Sequence, residues 1–169
     1  MDDHLILMDE RRIHRSVRRM GHEIIETNKK DTPILLFGID QSGTAVAELL
    51  GNVLDDIWQG VIETVSLPLD EGNTQKTLNS LPSNKTEDMF LIAVDDVIFS
   101  GETMFRALTK IGKDLPLTEI HTAVLIDRGH RKFPIRAGFY GMQLPTKLDE
   151  HVSVMVDDHT VKEVLLQNR

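Results

Sequence analysis

The chain has 169 residues, enough for one domain with a sizeable core and little room for a second. Its 19 Lys and Arg against 27 Asp and Glu leave a net charge of −8, the wrong sign for a surface that grips nucleic acid all over. The absence of cysteine excludes disulfide scaffolds, zinc–thiolate sites and thiol nucleophiles, and apolar runs as short as Ile34–Phe37 and Phe90–Val94 exclude a spanning helix of about 20 residues.

In chain order, Met1-Asp2-Asp3-His4 has neither the positive start nor the apolar stretch of a secretory leader, so the expected compartment is the cytoplasm. From Asp9 to Lys30, the residues Ile13, Val17, Met20, Ile24 and Ile25 mark one helical face. Ile34 to Ile39 reads as a buried strand. After Gly43, the residues Ala45, Val46, Leu49, Leu50, Val53 and Leu54 restore a helical face, and a strand follows at Val61 to Leu67. Pro68 to Asp88 is polar and broken by Pro, Gly and Asn, which predicts a long loop or short hairpin. Phe90 to Val94 is a strand, and a helix carrying Met104, Phe105, Leu108 and Ile111 runs to a stop at Gly112 and Pro116. Strands follow at Thr122–Ile126, Gly138–Gly141 and Val152–Val156, and Thr160 to Gln167 fits a helix or a strand. Alternating strands and helices predict an α/β domain with a mostly parallel core sheet flanked by helices, binding its ligand at the carboxyl ends of the strands.

Three strand ends carry the chemistry. In Val94-Asp95-Asp96-Val97-Ile98-Phe99-Ser100-Gly101-Glu102-Thr103, two carboxylates leave a buried strand and a hydroxyl–Gly pair opens a helix. Unpaired amides at a helix start, beside Ser100, Gly101, Glu102 and Thr103, suit a phosphate; adjacent carboxylates suit ribose hydroxyls, magnesium or both. Ile39-Asp40-Gln41-Ser42-Gly43 forms a second strand–loop–helix, close to a Walker A loop but with Thr44 where that motif needs Lys. It suits a pyrophosphate cradled by amides, or a plain tight turn. Asp127-Arg128-Gly129-His130-Arg131-Lys132 orients an anionic substrate or forms a solvated turn. Arg11, Arg12, Arg15, Arg18 and Arg19 form a basic helix face, either solvated or phosphate-binding. The histidines show no metal-ligand spacing, and no G-x-S-x-G elbow accompanies Ser, His and Asp. An acid pair after a strand also fits a phospho-receiver, but receivers carry theirs near the start of the chain.

Val94 to Thr103 resembles the phosphoribosyl-pyrophosphate loop of type I phosphoribosyltransferases. Gly21 to Glu26, Ala123 to Arg131, Phe133 to Ala137 and Leu144-Pro145-Thr146 narrow the resemblance to the pyrimidine-operon attenuator/uracil phosphoribosyltransferase (PyrR) family, over roughly residues 8 to 156. The resemblance implies a single domain over 1–169 of the type I phosphoribosyltransferase fold, with a small hood and mobile loop at about 66–88 and 138–156. It implies Asp95 and Asp96 at the ribose, and water-mediated at most on magnesium. The 5′-phosphate would sit on Ser100, Gly101, Glu102 and Thr103, the pyrophosphate on Ile39 to Gly43, and the base near Asp127, Arg128, His130 and Arg136. The implied reaction is uracil plus phosphoribosyl pyrophosphate giving UMP and pyrophosphate; the alternative is a nucleotide sensor that has lost turnover. A homodimer is the family expectation, with the apolar face of the first helix a candidate for its interface, and RNA binding is expected to be weak.

The departures from the family pattern all remove positive charge. Ser42 stands where Arg is usual, Ser66 to Asn73 lacks the Arg of the usual mobile loop, Glu102 replaces Arg or Lys, and Met142 replaces Lys. One charge-assisted contact is worth about 1.5–3 kcal/mol, so substrate binding or turnover is expected to be reduced.

Overall fold

The computed structural model describes residues 4–82 and 86–168; Met1, Asp2 and Asp3, used above for the compartment, lie outside them. The core is a five-stranded, all-parallel sheet in the order β3–β2–β4–β5–β6. Its strands are β2 (Ile34–Ile39), β3 (Ile62–Leu67), β4 (Phe90–Ile98), β5 (His121–Asp127) and β6 (Phe139–Gln143). All six residues of β2 are buried, as the unbroken apolar run requires of a strand covered on both faces.

Alternate strand residues go to opposite faces. Ile34, Leu36, Ile92 and Val94 pack under α1 (Glu10–Thr27) and α2 (Asp40–Ile57), which supply Ile13, Val17, Met20, Val46, Leu50 and Leu54. Leu35, Phe37, Leu91 and Ala93 pack under α3 (Glu71–Ser80) and α4 (Glu102–Asp114), which supply Leu78, Met104, Ala107 and Ile111. The apolar face of α1 is therefore spent inside its own core, with Ile13, Val17, Met20 and Ile24 all fully buried, and it is not the dimer surface expected of it.

A second sheet is antiparallel, in the order β1–β8–β7. It joins β1 (His4–Met8) to β7 (Glu150–Asp157) and β8 (Thr160–Asn168), with His4 opposite Gln167. Between β7 and β8 the chain reverses through Asp158 and His159, at φ 44° and 61°, the left-handed pair that matches the twist of a two-residue hairpin.

Three expectations change. The ambiguous end of the chain is a strand, because β8 has β1 and β7 on either side. Of the expected 66–88 and 138–156, only 150–156 enters the small sheet, which is completed by 4–8 and 160–168; residues 139–143 are the edge of the core sheet. Finally, α3 occupies part of the expected loop, and Ser66 to Asn73 is tied down. Leu67 and Leu69 are buried, the Leu69 amide donates to Asp40 Oδ1 at 2.8 Å, and Lys110 Nζ donates to the Leu69 carbonyl at 2.9 Å.

Candidate active site

The carboxyl ends of β2, β4 and β5 lie side by side, and each delivers one of the three motifs. There is no loop between β2 and α2: the helix starts at Asp40, whose φ of 50° makes the turn in one residue. This tightness explains two glycines. A Cβ on Gly38 would lie 2.4 Å from Thr44 Cα, and one on Gly43 would lie 2.8 Å from the Val94 carbonyl and 3.1 Å from Asp95 Oδ1. The first turn of α2 thus rests directly on the β4 acid pair.

The two acids divide. Asp95 is buried beneath Gly43 and accepts the Asp96 amide at 2.8 Å. Burial, then the charge of Asp96, pushes its carboxyl well above the usual carboxylate range. Asp96 accepts the Val97 amide at 2.7 Å and lines an open cleft. At the end of β4, Gly101 takes φ 84°, a conformation that side chains avoid, and opens α4. Neither α2 nor α4 has a side-chain cap, since Ile39 cannot supply one and Gly101 has none; the nearest approach is Ser100 Oγ, accepting from the Glu102 amide at 3.2 Å. Glu102 and Thr103 lie exposed in the first turn of α4. Both helix starts leave amides and a positive dipole end for an anion.

The cleft measures about 490 Å³ and lies between the core sheet and β7. Ser42, Asp96, Phe99 and Arg128 form its floor, and Leu148, Glu150, His151, Ser153 and Val154 its other wall. Arg128 is buried, its guanidinium 4.3 Å above the Phe99 ring, with Nε donating to Thr146 Oγ1 at 2.8 Å and Nη2 to the Glu150 carbonyl at 2.6 Å. It ties the site floor to the small sheet.

The four residues expected around a base do not converge. Arg128 lines the cleft. His130, at φ 54°, contacts the Thr146 carbonyl through Nε2 and lies 5.3 Å from the Phe99 ring. Asp127 and the exposed Arg136 line a separate hollow with Arg131 and Tyr140. Asp127 is occupied by the Gly129 amide at 3.0 Å and Arg131 Nη2 at 2.7 Å, while Arg131 Nη1 also donates to the Phe99 carbonyl at 2.8 Å. On the basic face of α1 all five arginines are exposed, but two are tethered: Arg19 donates to the Tyr140 and Gly141 carbonyls and Arg12 to the Leu7 carbonyl.

Sequence reasoning missed the upper wall. His151, Ser153 and Val154 carry no motif; they reach the cleft as part of β7, which pairs with β8 and is tied to the floor by Arg128. Phe99 stood inside a recognised motif, but as a spacer.

The family profile for the phosphoribosyl transferase domain matches residues 6–159. Two proteins called bifunctional protein PyrR are similar over most of their length. That of Clostridium novyi (strain NT) is 36% identical over 161 residues, covering 90% of each chain. That of Geobacter sp. (strain M21) is 34% identical over 177 aligned positions, covering 99% of each. The chain belongs to the phosphoribosyltransferase family, in its PyrR branch. Solved members of the family share the fold at low identity. The hypoxanthine phosphoribosyltransferase of Trypanosoma cruzi superposes with a TM-score of 0.76 at 16% identity, over 96% of this chain and 95% of that one. The Leishmania tarentolae HGPRT-ase, solved with GMP, gives 0.74 at 13% identity, over 98% of each. Among the described residues no helix is long and apolar enough to cross a membrane.

Proposed function

We propose that the chain transfers a 5-phosphoribosyl group from phosphoribosyl pyrophosphate to uracil, giving UMP and pyrophosphate. The observation that carries this reading is a pair of uncapped helix starts following β2 and β4 in a phosphoribosyltransferase-family chain: α2 lines the cleft through Ser42 beside Asp96, and α4 opens at Gly101, two residues past the cleft-lining Phe99. The start of α4, from Ser100 to Thr103, receives the 5′-phosphate, and the start of α2, from Asp40 to Gly43, receives the pyrophosphate. Asp96 faces the ribose hydroxyls between them, while Asp95 supports it from below. The bond from the anomeric carbon to pyrophosphate breaks, the uracil N1 bond forms, and the N1 proton leaves to solvent. Fixing both ends of the donor orients that carbon, and amide dipoles aimed at the leaving group stabilise the charge it gains.

Magnesium fits as a ligand-borne ion. Two adjacent carboxylates, with no cluster of three or more metal-ligating side chains among the described residues, match an ion held mainly by phosphate oxygens and water. Asp96 and Asp95 would hold it through water, and its chemistry would be to neutralise charge on the pyrophosphate.

Charge is scarce for this work. Arg128 is the one Lys or Arg lining the cleft among the described residues, and it is engaged with Thr146, Glu150 and Phe99. That favours slow turnover and keeps a second reading open, a nucleotide sensor in the cytoplasm that binds UMP without making it. A UMP-formation assay with uracil and phosphoribosyl pyrophosphate, run beside calorimetry with UMP, separates them: slow product formation supports the transferase, and binding without product supports the sensor. RNA binding through Arg11, Arg15 and Arg18 is weak and salt-sensitive on this reading, because few phosphates are neutralised.

A further inference from the structure

A second hollow of about 360 Å³ adjoins the cleft, since Ser42 and Val154 line both. One wall is the first turn of α2, at Gln41 and Ser42. The other is β7 at Val154, Met155 and Val156, with the turn residues Asp158 and His159 at the end. Of the residues lining this hollow, His159 alone can carry a positive charge. The hollow lies beside the start of α2, next to the cleft.

We infer that His159, on the hairpin of the small sheet, supplies the cationic contact to the diphosphate held at the start of α2. The inference rests on the proposed function above, and adds a residue from a different part of the chain. A polyanion bound beside Ser42 needs positive charge beyond what amides give, and Ser42 itself has none. The opposite wall is the remaining place to put it. The hairpin is built in a way that fits this role. Its two turn positions need positive φ, which Asn and Gly accept at least cost, yet they hold Asp158 and His159. Both turn residues line the hollow, together with Gln41 and Ser42 of α2. Asp158 lines the same hollow and opposes a bare anion, so the favoured ligand is a diphosphate carrying a divalent cation.

The test is calorimetry on the full chain with inorganic pyrophosphate and magnesium, with UMP as the comparison ligand. His159→Ala is expected to weaken pyrophosphate about fivefold, the effect of one exposed charged contact, with UMP unchanged. His159→Arg is expected to restore or exceed the original affinity. Equal pyrophosphate affinity in the wild type and His159→Ala would overturn the inference, as would equal weakening of both ligands. A wild type that binds UMP but not pyrophosphate sinks the inference and spares the phosphoribosyl reading. A wild type that binds neither ligand sinks both.

Discussion

The four long helices start in two different ways. Away from the cleft, α1 and α3 are closed by aspartates: Asp9 accepts the Arg12 amide at 2.8 Å and Asp70 accepts the Asn73 amide at 3.0 Å. After β2 and β4, the strands whose ends flank the cleft, α2 and α4 start from Ile39 and Gly101, which cap nothing. The same unpaired amides are a stability problem in the first pair and a binding device in the second. The aspartates report the difference. Bonding to the Asn73 amide lowers the Asp70 carboxyl below its ordinary value, whereas burial raises that of Asp95. The signs of their pH dependence are opposite. For Asp70 the folded form holds its proton less tightly than the unfolded one, so its contribution is present above the ordinary value and lost as pH falls through the lowered one. For Asp95 the folded form holds its proton more tightly, so stability falls as pH rises from the ordinary carboxylate value towards the raised one.

The sharpest way to break the contrast is Gly101→Val. The φ of 84° resists a β-branched residue, and the new side chain meets Arg131 Cδ and the Phe133 carbonyl, each 3.4 Å from the added Cβ. UMP affinity is expected to fall about 100-fold, the loss of one or two charge-assisted contacts, measured by calorimetry on protein whose circular dichroism still reports the fold. Wild-type affinity in that variant would remove the phosphate from α4. A smaller change sharpens the picture at α2: Ser42→Arg is expected to tighten phosphoribosyl pyrophosphate about tenfold. No gain would mean that the start of α2 does not face the pyrophosphate.

At the capped helices the expectation is reversed. Asp9→Ala is predicted to lower the melting temperature by about 2–4 °C, equivalent to about 1 kcal/mol, and to leave UMP titrations unchanged. The smallest effect separates stability from function at a single position. Asp95→Asn keeps an acceptor for the Asp96 amide and removes a carboxyl whose burial opposes ionisation. At neutral pH the variant is expected to melt higher by a few degrees at most, about 1 kcal/mol, while binding phosphoribosyl pyrophosphate less well. A lower melting temperature would show that the buried acid stabilises the fold.

How much of this was legible in the sequence depended on where the information lay. β2, β4 and β5 were readable because a strand buried on both faces is an apolar run, and the acid pair and Gly101 were readable because each follows such a strand immediately. β1 was not, because its first three residues are exposed and its partner β8 lies at the far end of the chain. α3 was missed because only Thr74 and Leu78 of its ten residues are buried, too few to set a period. The separation of Arg128 in the cleft from Asp127 and Arg136 in another hollow, with His130 lining neither, could not be read from adjacency. Those residues leave the regular strand at Asp127, and positive φ at Gly129 and His130 turns them apart.

The pairing of His4 with Gln167 also imposes an order on assembly. The core sheet is finished at Gln143, so the floor of the cleft can form on a chain still being made. The upper wall cannot: β1 leaves the ribosome first and has to wait, unpaired, until β8 follows. At about 5–20 residues per second that interval is roughly ten to thirty seconds, during which Leu5 and Ile6 present an open strand edge. A released chain that ended before Thr160 would therefore lack the strand that joins β1 to β7, and with it the support of the cleft's upper wall.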